Sequence, residues 1–215
     1  NELFTGLDVN ALDRLFASLP LDDELVEVPT GVGFCMYIRR DCLDAVGYFD
    51  EQTFGKGYGE ENDWCQRAHK LGWKNYHQLN VFAYHKGGVS FQEEGDPRKA
   101  RALELLNALH PNYTRDVMAF IGQDPAKLAR MMAKIKFVVQ SGLPVVLSVA
   151  HHLGGGVAQH VSELATHYLG KAYFLRLTPG QQEGHVNLYL SALEDDKSDA
   201  FVFNIHTEYE LLVAF

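Results

Sequence analysis

A chain of 215 residues is long enough to bury a hydrophobic core, as one domain or as two small ones. A composition of 47% hydrophobic and 22% charged residues excludes wholesale disorder. The net charge of −9, with no stretch that concentrates Lys and Arg, argues against a nucleic-acid partner and favours a cationic or metal-bridged one.

Cys35, Cys42 and Cys65 are odd in number and sit in apolar or helical contexts, which points to a reducing cytoplasm rather than a disulfide framework. No apolar run approaches the ~20 residues that span a bilayer. The first residue is Asn1, and "NELFTGLDVNALDRLF" opens without a strand, so an excerpt of a longer protein is expected.

In chain order, residues 8–18 place Leu12, Leu15 and Phe16 at helical spacing behind Asp8 and Asn10, either of which can cap the helix. After the turn "PLDDE", the stretch "LVEVPTGVGFCMYIRRD" reads as a strand pair interrupted at Pro29 and Gly31, with Phe34 to Ile38 buried on both faces. A short helix from Asp41 to Val46 stops at Gly47. Trp64, Ala68 and Leu71 share one face of a helix over 60–71, with Gly72 as its stop. "NYHQLNVFAYH" reads as a strand ending at His85, and "KGGVSF" as a glycine-containing loop. Residues 97–109 and 124–138 are helix-forming, with stripes at Leu103, Leu106 and Leu109 and at Leu128, Met131, Met132 and Ile135. A second start follows: a strand at Val145 to Val149, a triple-glycine loop, and a helix through Val161, Leu164 and Leu169. "AYFLRLTP", "VNLYLSA" and "DAFVFNIH" are further strands, too few for a full doubly wound domain.

Glu60, Glu61 and Asp63 crowd the first turn of the 60–71 helix. Negative charge there complements the helix macrodipole, which is an adequate structural reason for them. Gly57 and Gly59, on either side of Tyr58, add a second: they let the backbone expose the acids at a loop-to-helix junction, where function concentrates. The dipole favours their charged forms and mutual repulsion disfavours them.

"GKGYGEENDWCQRAHKLGW" followed by "NVFAYHKGGVSF" resembles the second half of the catalytic domain of family 2 glycosyltransferases, inverting enzymes with the type A nucleotide-sugar fold. The upstream "VPTGVGFCMYIRRDCLDAVGYFDE" is similar to the family strand that lines the acceptor side, so the likeness covers roughly residues 25–92. The resemblance implies that Glu61 is the catalytic base, where the family more often has Asp, and that Glu60 hydrogen-bonds the acceptor or orients the loop. It implies that Asp63 does the same or caps the helix, and that Trp64 stacks on an acceptor sugar or packs the core. Thr30, Gly31 and Gly33 would pass close to the substrate. His85 would contact a divalent cation, Mn²⁺ or Mg²⁺, bridging the donor diphosphate.

The family also carries an N-terminal βαβ half with an Asp-x-Asp-like motif. This sequence contains neither, so a fragment that does not turn over alone is expected. "VVLSVAHHLGGGVAQHVSELATHYL" resembles the opening of a type B glycosyltransferase. There Gly154, Gly155 and Gly156 would offer backbone amides to a phosphate, or simply make a tight turn. Their spacing is not that of a dinucleotide fingerprint, and His151, His152 and His160 lack the second cluster a zinc site needs.

The expected architecture is therefore α/β. Residues 1–95 form the acceptor half of a type A domain, 96–142 a helical connector, and 143–215 the start of a Rossmann-like domain. The partners implied are a nucleotide-sugar donor and a saccharide acceptor in bacterial surface polysaccharide synthesis, with a lipid-linked acceptor drawing the protein to the inner face of the membrane. The alternative is a non-catalytic carbohydrate-binding or protein-interaction module, in which the acids are helix-start charges and the aromatics pack a core.

Overall fold

The computed structural model describes residues 7–21, 25–55, 58–85, 97–151, 154–189 and 200–214. The "KGGVSF" loop, Asp22 to Glu24, Gly57 and His152 lie outside the described residues. The chain is mixed α/β and divides into two units, Asn1–Ala129 and Arg130–Phe215. The stretch 96–142, read above as a connector, is shared between them.

In the first unit, Asp8 caps helix α1 (Val9–Ala17) by accepting from the Ala11 N–H at 2.7 Å, and Leu12 and Leu15 are buried. Strand β1 (Leu25–Val28) pairs antiparallel with β2 (Asn75–Gln78), from Leu25 opposite Gln78 to Val28 opposite Asn75. The expected second strand over 34–38 does not form. Gly33–Cys35 makes a 3₁₀ turn; Met36 and Ile38 then pack into the core while Tyr37 stands 93% exposed. An apolar run of this length reads alike as a doubly buried strand or as an extended segment with one face on a helix.

Helix α2 (Arg40–Val46) stops at Gly47, whose φ of 85° lets its N–H reach the Leu43 carbonyl. The single turn α3 (Glu51–Phe54) leads to α4 (Glu60–Lys70). Trp64, Cys65 and Ala68 of α4 form a core with Cys42, against which Met36, Ile38, Leu43, Val46 and Trp73 pack. Leu71, expected on the same face, is exposed because the helix has ended by then. Strand β2 also stops before the sequence suggests, at Gln78 opposite Leu25, and His85 lies beyond a turn rather than at a strand end.

Helix α5 (Pro97–Leu109) buries Ala102 and Leu106 but exposes Leu103 and Leu109, a narrower seam than the leucine spacing suggests. Helix α6 (Tyr113–Gln123), which the sequence reading passed over, follows, and the division between the units falls inside α7 (Lys127–Ser141).

In the second unit, β3 (Val145–Val149) and β4 (Tyr173–Pro179) are parallel neighbours joined through helix α8 (Gly156–His167). Strands β5 (His185–Tyr189) and β6 (Phe201–Asn204) then add antiparallel, in the order β3-β4-β5-β6. The opening is the expected strand, glycine turn and helix. The later strands depart from a doubly wound sheet because residues 180–184 are too few for a crossover and close a hairpin instead. One sheet face, through Leu175, Leu177, Val186, Leu188, Phe201 and Phe203, packs on Met131 of α7 and on Leu211 and Leu212 of α9 (Tyr209–Ala214). The other packs Phe174 against Val161 and Ala165 of α8. Among the described residues no helix is long and apolar enough to cross a membrane.

Candidate functional site

The first turns of α4 hold down the loop that follows β1. Asn62 Nδ2 donates to Thr30 Oγ1 at 2.8 Å, Gln66 Nε2 donates to the Pro29 carbonyl at 2.7 Å, and Cys65 Sγ accepts from the Gly31 N–H at 3.3 Å. Residues 62, 65 and 66 share a helix face by their i, i+3, i+4 spacing, so one rigid element fixes three consecutive loop residues. Thr30 and Gly31 are thus bound to the helix. Gly33, two residues on, lies against Glu61: a methyl placed on it would sit 3.7 Å from Glu61 Cβ and Cγ.

The helix start is set by Gly59. Its φ of 94° is left-handed, and a Cβ there would meet Phe54 Cδ1 at 2.8 Å and Ala102 Cβ at 3.1 Å. Only glycine satisfies both the turn and the close approach. Its carbonyl then accepts the Asp63 N–H at 2.8 Å, which places Glu60 and Glu61 in the first turn.

Glu61 is half-buried. Burial pushes its carboxyl pKa up, and the neighbouring Glu60 charge adds to this. Hydrogen bonds from the backbone N–H groups of Glu61, Gly33 and Gly59 oppose the rise. The buried Tyr113 feels the same carboxylate: desolvation first, and then Glu61, raise its phenol. Glu61 is therefore a carboxylate held in a partly desolvated place, more basic than an exposed one.

His85 stacks on Phe34, with ring centroids 4.6 Å apart and planes inclined by 25°. Since Phe34 follows Gly33, the 3₁₀ turn links the two groups, with Gly33 on Glu61 and Phe34 on His85. No cluster of three or more His, Cys, Asp or Glu side chains capable of holding a metal occurs among the described residues. His85 alone does not make a Mn²⁺ or Mg²⁺ site, since these ions take several oxygen ligands.

Asp63 and Trp64 face inward. Asp63 is 4% exposed, and its two carboxylate oxygens meet Arg67 Nε and His110 Nε2, each at 2.7 Å. Trp64 is 3% exposed and donates its indole N–H to the Gly47 carbonyl at 2.7 Å. With its oxygens engaged and its ring in the core, this pair packs and braces the unit, and neither reaches an acceptor sugar. Arg67 also donates to the carbonyls of Val46 at 2.9 Å and Tyr48 at 2.8 Å. Asp63, Cys65 and Arg67 thus tie three neighbouring segments to α4, while Glu60 and Glu61 remain half-buried at its tip. Asn62, Tyr113 and His110 carry no local signal in the sequence, and Phe34, expected to be buried on both faces, is exposed.

In the second unit, Gly154 and Gly155 take φ of 70° and 79°, and Gly156 opens α8. Nothing lies within 4 Å of a Cβ built on any of the three, so backbone conformation, not crowding, requires glycine at the first two.

No family model, no curated protein and no solved structure matches the chain.

Proposed function

We propose that residues 25–92 are the acceptor side of an inverting glycosyltransferase and that Glu61 is its general base. The acceptor hydroxyl gives its proton to the Glu61 carboxylate as its oxygen bonds to the anomeric carbon of a nucleotide-sugar. The bond from that carbon to the diphosphate breaks in line, the diphosphate leaves with the electron pair, and the configuration inverts. A base must be ionised at working pH yet basic enough to take a hydroxyl proton, and partial burial raises basicity in that direction.

The observation that carries this is the half-buried Glu61 carboxylate at the start of α4, lying on Gly33 with its pKa raised by burial and by Glu60. Glu60 orients the same loop or meets the acceptor. The described residues supply only His85 toward the cation that the resemblance implies, so the proton transfer above is assigned to the protein's own groups. In the second unit, β3, the glycine turn and α8 are read as the opening of a Rossmann-like domain of a second transferase, with Gly154 to Gly156 facing a phosphate. The setting proposed is surface polysaccharide synthesis on the cytoplasmic side of a bacterial membrane.

The test is Glu61→Gln in the full-length gene product, assayed with labelled nucleotide-sugars and oligosaccharide acceptors. Transfer should fall by about 100- to 10,000-fold while donor binding is kept. Undiminished transfer removes Glu61 from the role.

A further inference from the structure

We infer that Asn62 is a positioning residue for Glu61: its amide clamps the loop 29–33 to α4, and the clamped loop keeps the Gly33 backbone against the Glu61 side chain. The inference rests on the reading of Glu61 as the base for its consequence in catalysis, but the clamp has observations of its own. Asn62 Nδ2 donates to Thr30 Oγ1 at 2.8 Å and lies 3.4 Å from the Gly31 carbonyl oxygen. A methyl built on Gly33 would stand 3.7 Å from Glu61 Cβ and Cγ and 3.8 Å from Cδ, so the loop backbone runs along the Glu61 side chain.

Three α4 side chains reach this loop, and they are not equivalent. Gln66 holds the Pro29 carbonyl, four residues before Gly33, and Cys65 takes the Gly31 N–H with a thiol sulfur, a weak acceptor. Asn62 holds Thr30 and Gly31 with an amide, which makes it the strongest anchor close to Gly33. Between Gly31 and Gly33 stands only Val32, whose side chain adds no packing anchor because the residue is 63% exposed. The clamp also has a chemical consequence. Burial is the first cause of the raised Glu61 pKa, and Gly33 is part of what covers that side chain, while the Gly33 N–H acts in the opposite sense and more weakly. Without Asn62 the loop lifts, water reaches the carboxylate, and its basicity falls.

Carbon-detected NMR titration of the glutamate carboxyls in the 215-residue chain tests this, with the Glu61 signal identified by its absence from Glu61→Gln. In Asn62→Ala the Glu61 midpoint should move down from its wild-type value towards that of exposed glutamates. Thr30→Val removes the acceptor at the other end of the clamp and should reproduce the shift, whereas Thr30→Ser keeps the hydroxyl and should leave the midpoint in place. The thermal midpoint of each variant is recorded alongside to show that it folds, and if Asn62→Ala does not, Thr30→Val carries the test. In the full-length protein, Asn62→Ala should lower kcat by about 10- to 100-fold with little change in KM for the nucleotide-sugar. A Glu61 midpoint that stays or rises in either folded variant overturns the clamp, and so does an unchanged kcat in Asn62→Ala when Glu61→Gln is inactive. If the midpoint falls as expected but full-length Glu61→Gln still transfers sugar, the clamp stands and the base assignment falls.

Discussion

The Asp63 carboxylate meets the His110 imidazole at 2.7 Å in the interior, with both side chains about 95% hidden from solvent, while its other oxygen meets Arg67 at the same distance. One acid thereby joins α4 to the corner between α5 and α6, and through Arg67 to the carbonyls that close α2. Removing Asp63 leaves the buried His110 ring nitrogen and the Arg67 guanidinium without this hydrogen-bond acceptor, so Asp63→Ala should destabilise the first unit by about 1–3 kcal/mol. Both tryptophans, Trp64 and Trp73, lie in that unit, so urea unfolding followed by their fluorescence reads it directly. A double-mutant cycle with His110→Ala should show coupling of about 0.5–3 kcal/mol, and additive losses would dissolve the pairing.

Gly59 and Gly33 make a contrasting pair. Alanine at 59 must occupy a left-handed backbone, at a cost of about 1–3 kcal/mol, and its methyl overlaps Phe54. Alanine at 33 meets only ordinary contact distance from Glu61. Gly59→Ala should therefore lower the fluorescence-detected unfolding midpoint markedly, whereas Gly33→Ala should stay within about 0.5 kcal/mol of wild type. Equal effects would show that the helix start is not set by Gly59.

The second unit allows a test of which sheet face is core. Phe203 is fully buried among Met131, Leu188 and Phe201, while its neighbour Val202 is 47% exposed on the opposite face. Phe203→Ala should cost about 3–5 kcal/mol in thermal unfolding followed by circular dichroism. Val202→Thr should change stability by no more than about 0.5 kcal/mol. A reversal of these effects would mean that the sheet presents its other face to α7 and α9.

Local signals carried much of this fold into the sequence. Asp8 before a periodic run, Gly47 after one and the glycines around α4 each act within a few residues, and each appears where its chemistry puts it. What was not legible depends on partners distant in the chain. Whether 34–38 becomes a strand depends on a neighbour to pair with, and among the described residues the sheet of this unit holds only β1 and β2. Asp63 reads as one of three similar acids until His110, far along the chain, is placed beside it. Trp64 looks equally suited to a sugar or a core until its indole N–H finds the Gly47 carbonyl. Among the acids, the sequence separates Glu61 from Asp63 only through the helical period, which turns residues two apart to different sides.

The electrostatics of Glu61 predict a pH dependence whose sign follows from its surroundings. Burial first, and then Glu60, raise the folded-state pKa of its carboxyl above the unfolded value. A carboxyl of this kind binds its proton more tightly when folded, so its contribution is most favourable below the ordinary Glu range of about 4.3 and is lost as pH rises through the raised folded value. Glu61→Gln removes the ionisation and keeps the shape. Below the ordinary Glu range the two proteins carry the same neutral group and should have nearly equal stability. Towards neutral pH the wild type must hold a partly desolvated charge that the variant lacks, so Glu61→Gln should become the more stable of the two. Urea midpoints for both proteins at several pH values, read by tryptophan fluorescence, would show the gap open with rising pH. A constant gap, or one that favours the wild type as pH rises, would mean that the carboxylate is solvated in the folded protein, and the physical basis for its raised basicity would be gone.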